Sequence, residues 1–180
     1  MNYRSLLRKC FAAAIMPLLG ACQTEPLAPI ATVPKVDLPR FMGDWYVIAN
    51  IPTFLERNAH DPVESYRLGE DGTIETTFTF HDGGFDGPQK VYHPRGFVAD
   101  PASNAVWGMQ FIWPVQAEYR IIYLADDYSQ TVIGRSKRDY VWIMARTPRI
   151  PDSDYQRLLQ FIAAQGYDTA RVVKAPQRPR

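Results

Sequence analysis

The 180-residue chain is poor in cysteine and histidine and nearly neutral. Its two cysteines, Cys10 and Cys22, both lie near the N-terminus. Beyond residue 22 the sequence offers no thiol for an internal disulfide, a nucleophile or a metal site. Histidine is confined to His60, His81 and His93, which are isolated and lack zinc-ligand spacing, so they read as solvated loop residues. A formal charge of +1 with no basic run argues against nucleic acid as a partner. No apolar run reaches the roughly 20 residues that a spanning helix needs. The Gly-x-Ser-x-Gly elbow and the phosphate-cradling glycine loop are also missing. On this pattern no catalytic residue, metal or cofactor is expected. His81, Asp82 and Asp86, in one glycine-rich loop, are the remaining candidates for cation binding or acid/base work.

The N-terminus carries an address. Arg4, Arg8 and Lys9 form a basic head, residues 10–19 are apolar apart from Pro17, and Gly20-Ala21 precede Cys22, the order of a secretory signal over residues 1–21. Leu19-Gly20-Ala21-Cys22 resembles the bacterial lipoprotein cleavage box, which implies that Cys22 becomes the new N-terminus and is acylated on sulfur and nitrogen. Each buried methylene contributes ~0.8 kcal/mol, and stable anchoring takes at least two chains; the three implied here suffice. Gln23 stands where an Asp would favour retention in the inner membrane of enterobacteria. The expectation is therefore lipid attachment to the outer membrane at its periplasmic face. The signal removes three bases and no acids, leaving two more acids than bases. Residues 22–36, with Pro26, Pro29 and Pro34, read as a semi-rigid tether extending ~3.1 Å per residue. The domain is expected over residues 37–177.

Within it one β-run follows another. Gly43 permits a sharp entry into a strand over 43–50, in which Trp45, Val47 and Ala49 are expected to share one face. Further runs cover 62–68, 73–80, 89–99, 105–113, 118–124, 128–134 and 140–146, separated mostly by hairpin-length turns. Pro94 inside the fourth run predicts a bulge or break, because proline cannot donate to the ladder. A one-turn helix is expected at 37–42. Asp152, Ser153 and Asp154 cap an amphipathic helix whose Tyr155, Leu158, Leu159 and Ile162 repeat at helical spacing before Gly166 ends it. A short ninth strand is expected at 170–173. The class is all-β, antiparallel and up-and-down. Sandwich or barrel stays open on these grounds, although one helix and a ninth strand are unusual for a sandwich.

The order of motifs resembles the lipocalins, and within them the bacterial outer-membrane lipoprotein group, the Blc-like lipocalins. Gly43-Asp44-Trp45-Tyr46, Asp127-Tyr128 at the turn into the seventh strand, and Arg146 at the end of the eighth occur in family order. Phe85-Asp86-Gly87-Pro88, Phe111-Ile112-Trp113-Pro114, residues 142–148 and Gly166-Tyr167-Asp168-Thr169 match the group. The resemblance implies an eight-stranded barrel with one helix packed outside and a cavity for one small ligand. It also implies that Arg146 lies over Trp45 and closes the barrel base with Gly43, Asp127 and Tyr128. Two departures stand out. Phe78-Thr79-Phe80 lacks the cysteine that many relatives carry there, and Val115-Gln116-Ala117 replaces an aromatic-glycine step.

Alternation groups Trp107, Met109 and Phe111 on one face of their strand and Tyr119, Ile121 and Tyr123 on one face of theirs, and these six are the candidate pocket wall. The opposite faces, with Val106, Ile112, Ile122 and Leu124, are apolar too, so the inward parity stays open. Apolar walls with a few phenols suit an acyl chain. The function expected is storage, transport or scavenging of a fatty acid, a lysophospholipid or a related lipid, without catalysis. A homodimer is left open. A lipid-modifying enzyme using the same cavity and an envelope interaction protein with a filled barrel are the alternatives.

Overall fold

Asp37 caps a single helical turn, α1 (Leu38–Phe41), by accepting the Arg40 backbone N–H at 3.3 Å. Gly43 then turns the chain at φ +95°, where a side chain would be strained and its Cβ would lie 3.4 Å from Arg146 Nη1. The computed structural model describes residues 27–178; the signal segment and Cys22 lie outside them. From Gly43 the strands run β1 (Gly43–Ile51), β2 (Ala59–Leu68), β3 (Ile74–Asp82), β4 (Gln89–Tyr92), β5 (Arg95–Val98), β6 (Val106–Ile112), β7 (Val115–Leu124), β8 (Gln130–Gly134) and β9 (Val141–Ala145). Every neighbouring pair is antiparallel, and β9 pairs back onto β1 from Tyr46↔Ala145 to Ile51↔Val141. The sheet is a closed barrel. β4 and β5 are the halves of its fourth strand, parted at His93-Pro94 as the proline requires.

Outside the barrel lies α2 (Asp152–Ala164), ended by Gly166 at φ +88°. Its N-cap is Pro151, with no side-chain cap bond; Asp154 instead accepts from Gln130 at 2.7 Å and Arg157 at 3.2 Å, tying the first turn to β8. A 3-10 turn at Thr169–Arg171 leads to β10 (Val173–Lys174), which adds to β1.

Two apolar layers result. Tyr155, Leu158 and Ile162 of α2 pack on Ile48, Ala49, Ile51, Ile122, Val132, Val141 and Ile143 of the barrel's outer face. Phe41, Trp45, Val47, Tyr66, Ile74, Trp107, Ile121, Ile133 and Met144 fill the base inside. Strand alternation fails at two places. The β1–β9 register shifts between Val47 and Ala49, so Ala49 turns out of the Trp45 face and packs under α2. The β7–β8 register shifts between Ile121 and Tyr123, which sends Tyr123 outward beside Phe161 and returns Leu124 to the inner layer.

Residues 27–36, expected as tether, lie along the barrel wall. Arg138 Nη1 donates to Ala28 O at 2.6 Å, Arg120 Nε to Ile30 O at 3.0 Å, and Val33 N to Ile121 O at 3.0 Å. Ile30 and Val36 are buried, so the packed domain begins earlier than residue 37. The segment runs from the β8–β9 loop at one barrel end to Ser103, beside α1, at the other.

Candidate ligand-binding cavity

The barrel's two ends differ because the sequence treats them differently. At the base, the Arg146 guanidinium lies 3.8 Å from the centre of the Trp45 ring. Its Nη atoms donate to the carbonyls of Asp44 (2.8 Å), Arg40 (2.9 Å) and Phe41 (3.0 Å), while Trp45 Nε1 donates to Phe41 O at 2.8 Å. Tyr128, at φ +61°, takes the Arg40 guanidinium 4.0 Å over its ring and accepts the Asp37 N–H on its hydroxyl at 2.9 Å. Asp127 holds that turn by accepting the Ser129 N–H at 2.9 Å. Gly43, Trp45, Asp127, Tyr128 and Arg146 thus meet at one end. Above Trp45, Phe41, Tyr66, Trp107 and Tyr119 form an aromatic floor, with Trp107 and Tyr119 stacked at 4.9 Å.

Over this floor the barrel is hollow. A cavity of about 450 Å³ lies between Glu64, Phe78, Met109, Ala117, Tyr119 and Trp142 and opens past Phe54, Phe111, Ile112 and Val115. Its size falls within the ~300–1,000 Å³ usual for small-molecule sites. The mouth rim is apolar and in water: Phe54 is 75% exposed, Ile112 76% and Trp113 82%. Exposed apolar side chains concentrated at one end mark a contact surface.

The cavity wall is not wholly apolar. Glu56, in the β1–β2 loop, is buried, and its carboxylate accepts from Trp142 Nε1 (2.7 Å), Asn50 Nδ2 (3.4 Å), Thr53 N (3.0 Å) and Thr53 Oγ1 (2.6 Å). That ties the loop to β9. Glu118 accepts from Ser136 N (2.6 Å), Ser136 Oγ (2.8 Å) and Arg120 (3.0 Å). Burial opposes its charge, but these donors hold its pKa below the ordinary value. Glu64 is different. Burial, reinforced by the Glu56 charge, pushes its carboxyl up to about 7 against the opposing hydrogen bond from Tyr66. Tyr66 OH in turn lies 2.8 Å from Tyr119 OH. Burial, with Glu64 nearby, raises both phenols well above their ordinary value, so both stay neutral.

A family model described as a lipocalin-like domain matches residues 36–177. The chain belongs to the lipocalin family. Temperature-induced lipocalin-1 of Arabidopsis thaliana is 31% identical over 154 residues, covering 81% of each chain. The outer membrane lipoprotein Blc of Citrobacter freundii is 29% identical over 161 residues, covering 89% of this chain and 90% of its own. Among solved structures, insecticyanin from the tobacco hornworm Manduca sexta superposes with a TM-score of 0.64 at 14% identity, over 81% of this chain and 83% of that one. This last likeness concerns the fold alone.

In this lipocalin the residues expected on the pocket wall are divided among four places. Met109 and Tyr119 line the cavity, and Phe111 stands at its mouth, half exposed. Trp107 and Ile121 point inward but lie below the cavity, in the packed base. Tyr123 is outside, under the Arg157 guanidinium and against α2, because of the bulge in β7. Glu56 and Glu64 were not anticipated. Glu64 shares its strand face with Tyr66 two residues on, and a carboxylate at that parity was the available signal. The histidines remain apart: His60 meets Asn58 O, His81 meets Gly87 O and His93 meets Thr77 Oγ1. In the loop after His81, Arg178 of the C-terminal tail lies 3.1 Å from Asp86. Among the described residues no three His, Cys, Asp or Glu are grouped to hold a metal, and no helix is long and apolar enough to cross a membrane.

Proposed function

We propose that this lipocalin is a lipid carrier anchored through acylated Cys22 at the periplasmic face of an outer membrane, taking one small amphiphile of the fatty acid or lysophospholipid class into its barrel. The observation that carries this reading is a cavity of about 450 Å³, closed below by packed aromatics and open above through an apolar rim. Binding draws on apolar burial at ~25 cal/mol per Å². The likeness to outer membrane lipoproteins of Citrobacter freundii and Escherichia coli supports the location. So does the chain's path: Ala28 lies at the β8–β9 loop, whose Arg135 and Tyr140 belong to the cavity mouth. An anchor upstream of residue 28 would hold the mouth and its exposed rim toward the bilayer.

The test is titration of the purified protein with a fluorescent fatty acid. One saturable site, blocked when the cavity is filled by mutation, supports carriage; absence of saturable binding for every acyl probe defeats it. Glu64 gives a specific reason to keep an enzymatic reading, since a cavity carboxyl with a pKa of about 7 suits acid/base work. Turnover of a bound lipid, abolished by Glu64→Gln, would select it. The filled-barrel reading fits only the lower half of the interior.

A further inference from the structure

Resting on the carrier reading and ranking the ligands within it, we propose that Glu64 favours one head group: amphiphiles with a protonated amine head, lodged on the floor beside Glu64, bind more tightly than free fatty acids of the same chain length. Four charged side chains line the cavity, and their partners differ. Glu56 is satisfied by four donors, and Glu118 is held by Ser136 and Arg120. Arg135, at the mouth, stands 3.5 Å from Asp139 and beside the Tyr140 ring, and its buried Nε makes no hydrogen bond among the described residues. Glu64 receives only the Tyr66 hydroxyl, on Oε2; among the described residues Oε1 has no hydrogen-bond partner. A carboxylate in the cavity with one such bond is an acceptor awaiting a donor.

An ammonium group answers each feature of that floor. Its N–H bonds reach the free oxygen of Glu64, and its charge offsets the carboxylate's in a site that water hydrates poorly. Phe78, Tyr119 and Trp142 present aromatic surface in the same cavity, and aromatic enclosure favours alkylammonium heads. The tail then runs toward Phe54, Phe111, Ile112 and Val115, where the rim is apolar. A carboxylate head on that floor would meet Glu64 and Glu56, while Arg135, the one cation on the wall among the described residues, stands at the mouth beside Asp139. Like charges at close range repel.

The experiment is competition at pH 8 against N-phenyl-1-naphthylamine, a neutral apolar fluorophore, using dodecylamine, 1-dodecanol and dodecanoate, which share one chain length. Dodecylamine is expected to displace the probe at concentrations at least tenfold below dodecanoate, with dodecanol between them. In Glu64→Gln the gap between dodecylamine and dodecanoate, each read relative to dodecanol in the same variant, should close to within about threefold. Glu64→Leu, which also removes the buried charge, serves as the second variant. Equal or tighter binding of dodecanoate by the wild type, or an undiminished amine preference in both variants, overturns the assignment and leaves carriage standing. If neither the probe nor dodecanol binds saturably, the carrier reading falls and this one with it.

Discussion

Arg146 and Trp45 lie face to face at 3.8 Å, joining the end of the last barrel strand to the start of the first. The same guanidinium caps three backbone carbonyls around α1 and β1. Arg146→Ala removes the cation–π contact and strands those carbonyls. A loss of about 2–4 kcal/mol in urea unfolding is expected. Arg146→Lys should recover only part of it, because an ammonium lacks the planar fork. A loss below about 0.5 kcal/mol for alanine would show that the base is closed by other contacts.

Glu64 gives the fold a pH dependence of definite sign. Its pKa rises from an ordinary 4.5 to about 7 on folding. Below 4.5 the carboxyl is protonated in both folded and unfolded chains and contributes nothing. As pH climbs through that window the unfolded chain releases the proton first, so stability falls with rising pH. Above about 7 the folded state carries the full cost, roughly 3 kcal/mol by the size of the shift. Glu64→Gln should therefore raise the melting temperature at pH 8 and leave it unchanged at about pH 3.5, below the unfolded pKa. Thermal unfolding of both proteins at the two pH values checks this; an equal effect at both would contradict it.

Filling the hollow should abolish binding without unfolding the barrel. Ala117 is partly buried on the cavity wall, and its partner across the ladder, Met109, also lines the cavity. Ala117→Trp is expected to weaken acyl-probe binding at least tenfold while near-ultraviolet circular dichroism keeps its native form. Unchanged affinity would place the ligand elsewhere.

The rim makes a separate prediction about membranes. Ile112 and Trp113 are exposed and contribute little to the packed core. Ile112→Asp with Trp113→Asp should leave unfolding within about 0.5 kcal/mol of wild type, as is usual for surface changes. Sedimentation with phosphatidylethanolamine/phosphatidylglycerol vesicles should drop several-fold. Equal sedimentation of both proteins would remove the rim from membrane contact.

Much of this architecture is legible in the sequence, for identifiable reasons. Gly43, Trp45 and Arg146 have functions that only their residue types serve, so their spacing survives as a motif, and Pro94 announces its own strand break. Alternation, by contrast, is reliable only while the register holds. Each of the two bulges, at Ile48 and Ile122, reverses every side chain beyond it, which is why Ala49 and Tyr123 sit under α2. Neither bulge has a local signal such as glycine, because it is set by how the neighbouring strand pairs. Depth along the barrel is similarly hidden: Trp107 and Met109 share a face, yet one is floor and the other wall. Residues 27–36 look like a linker by their prolines, but Ile30 and Val36 find apolar cover that only the folded barrel provides.

The most direct test of carriage is native mass spectrometry of the protein purified without added lipid, with the bound species released and identified. One amphiphile per chain, lost in Ala117→Trp, is the expected result. A bare chain that also takes up no acyl or alkylamine probe would contradict it.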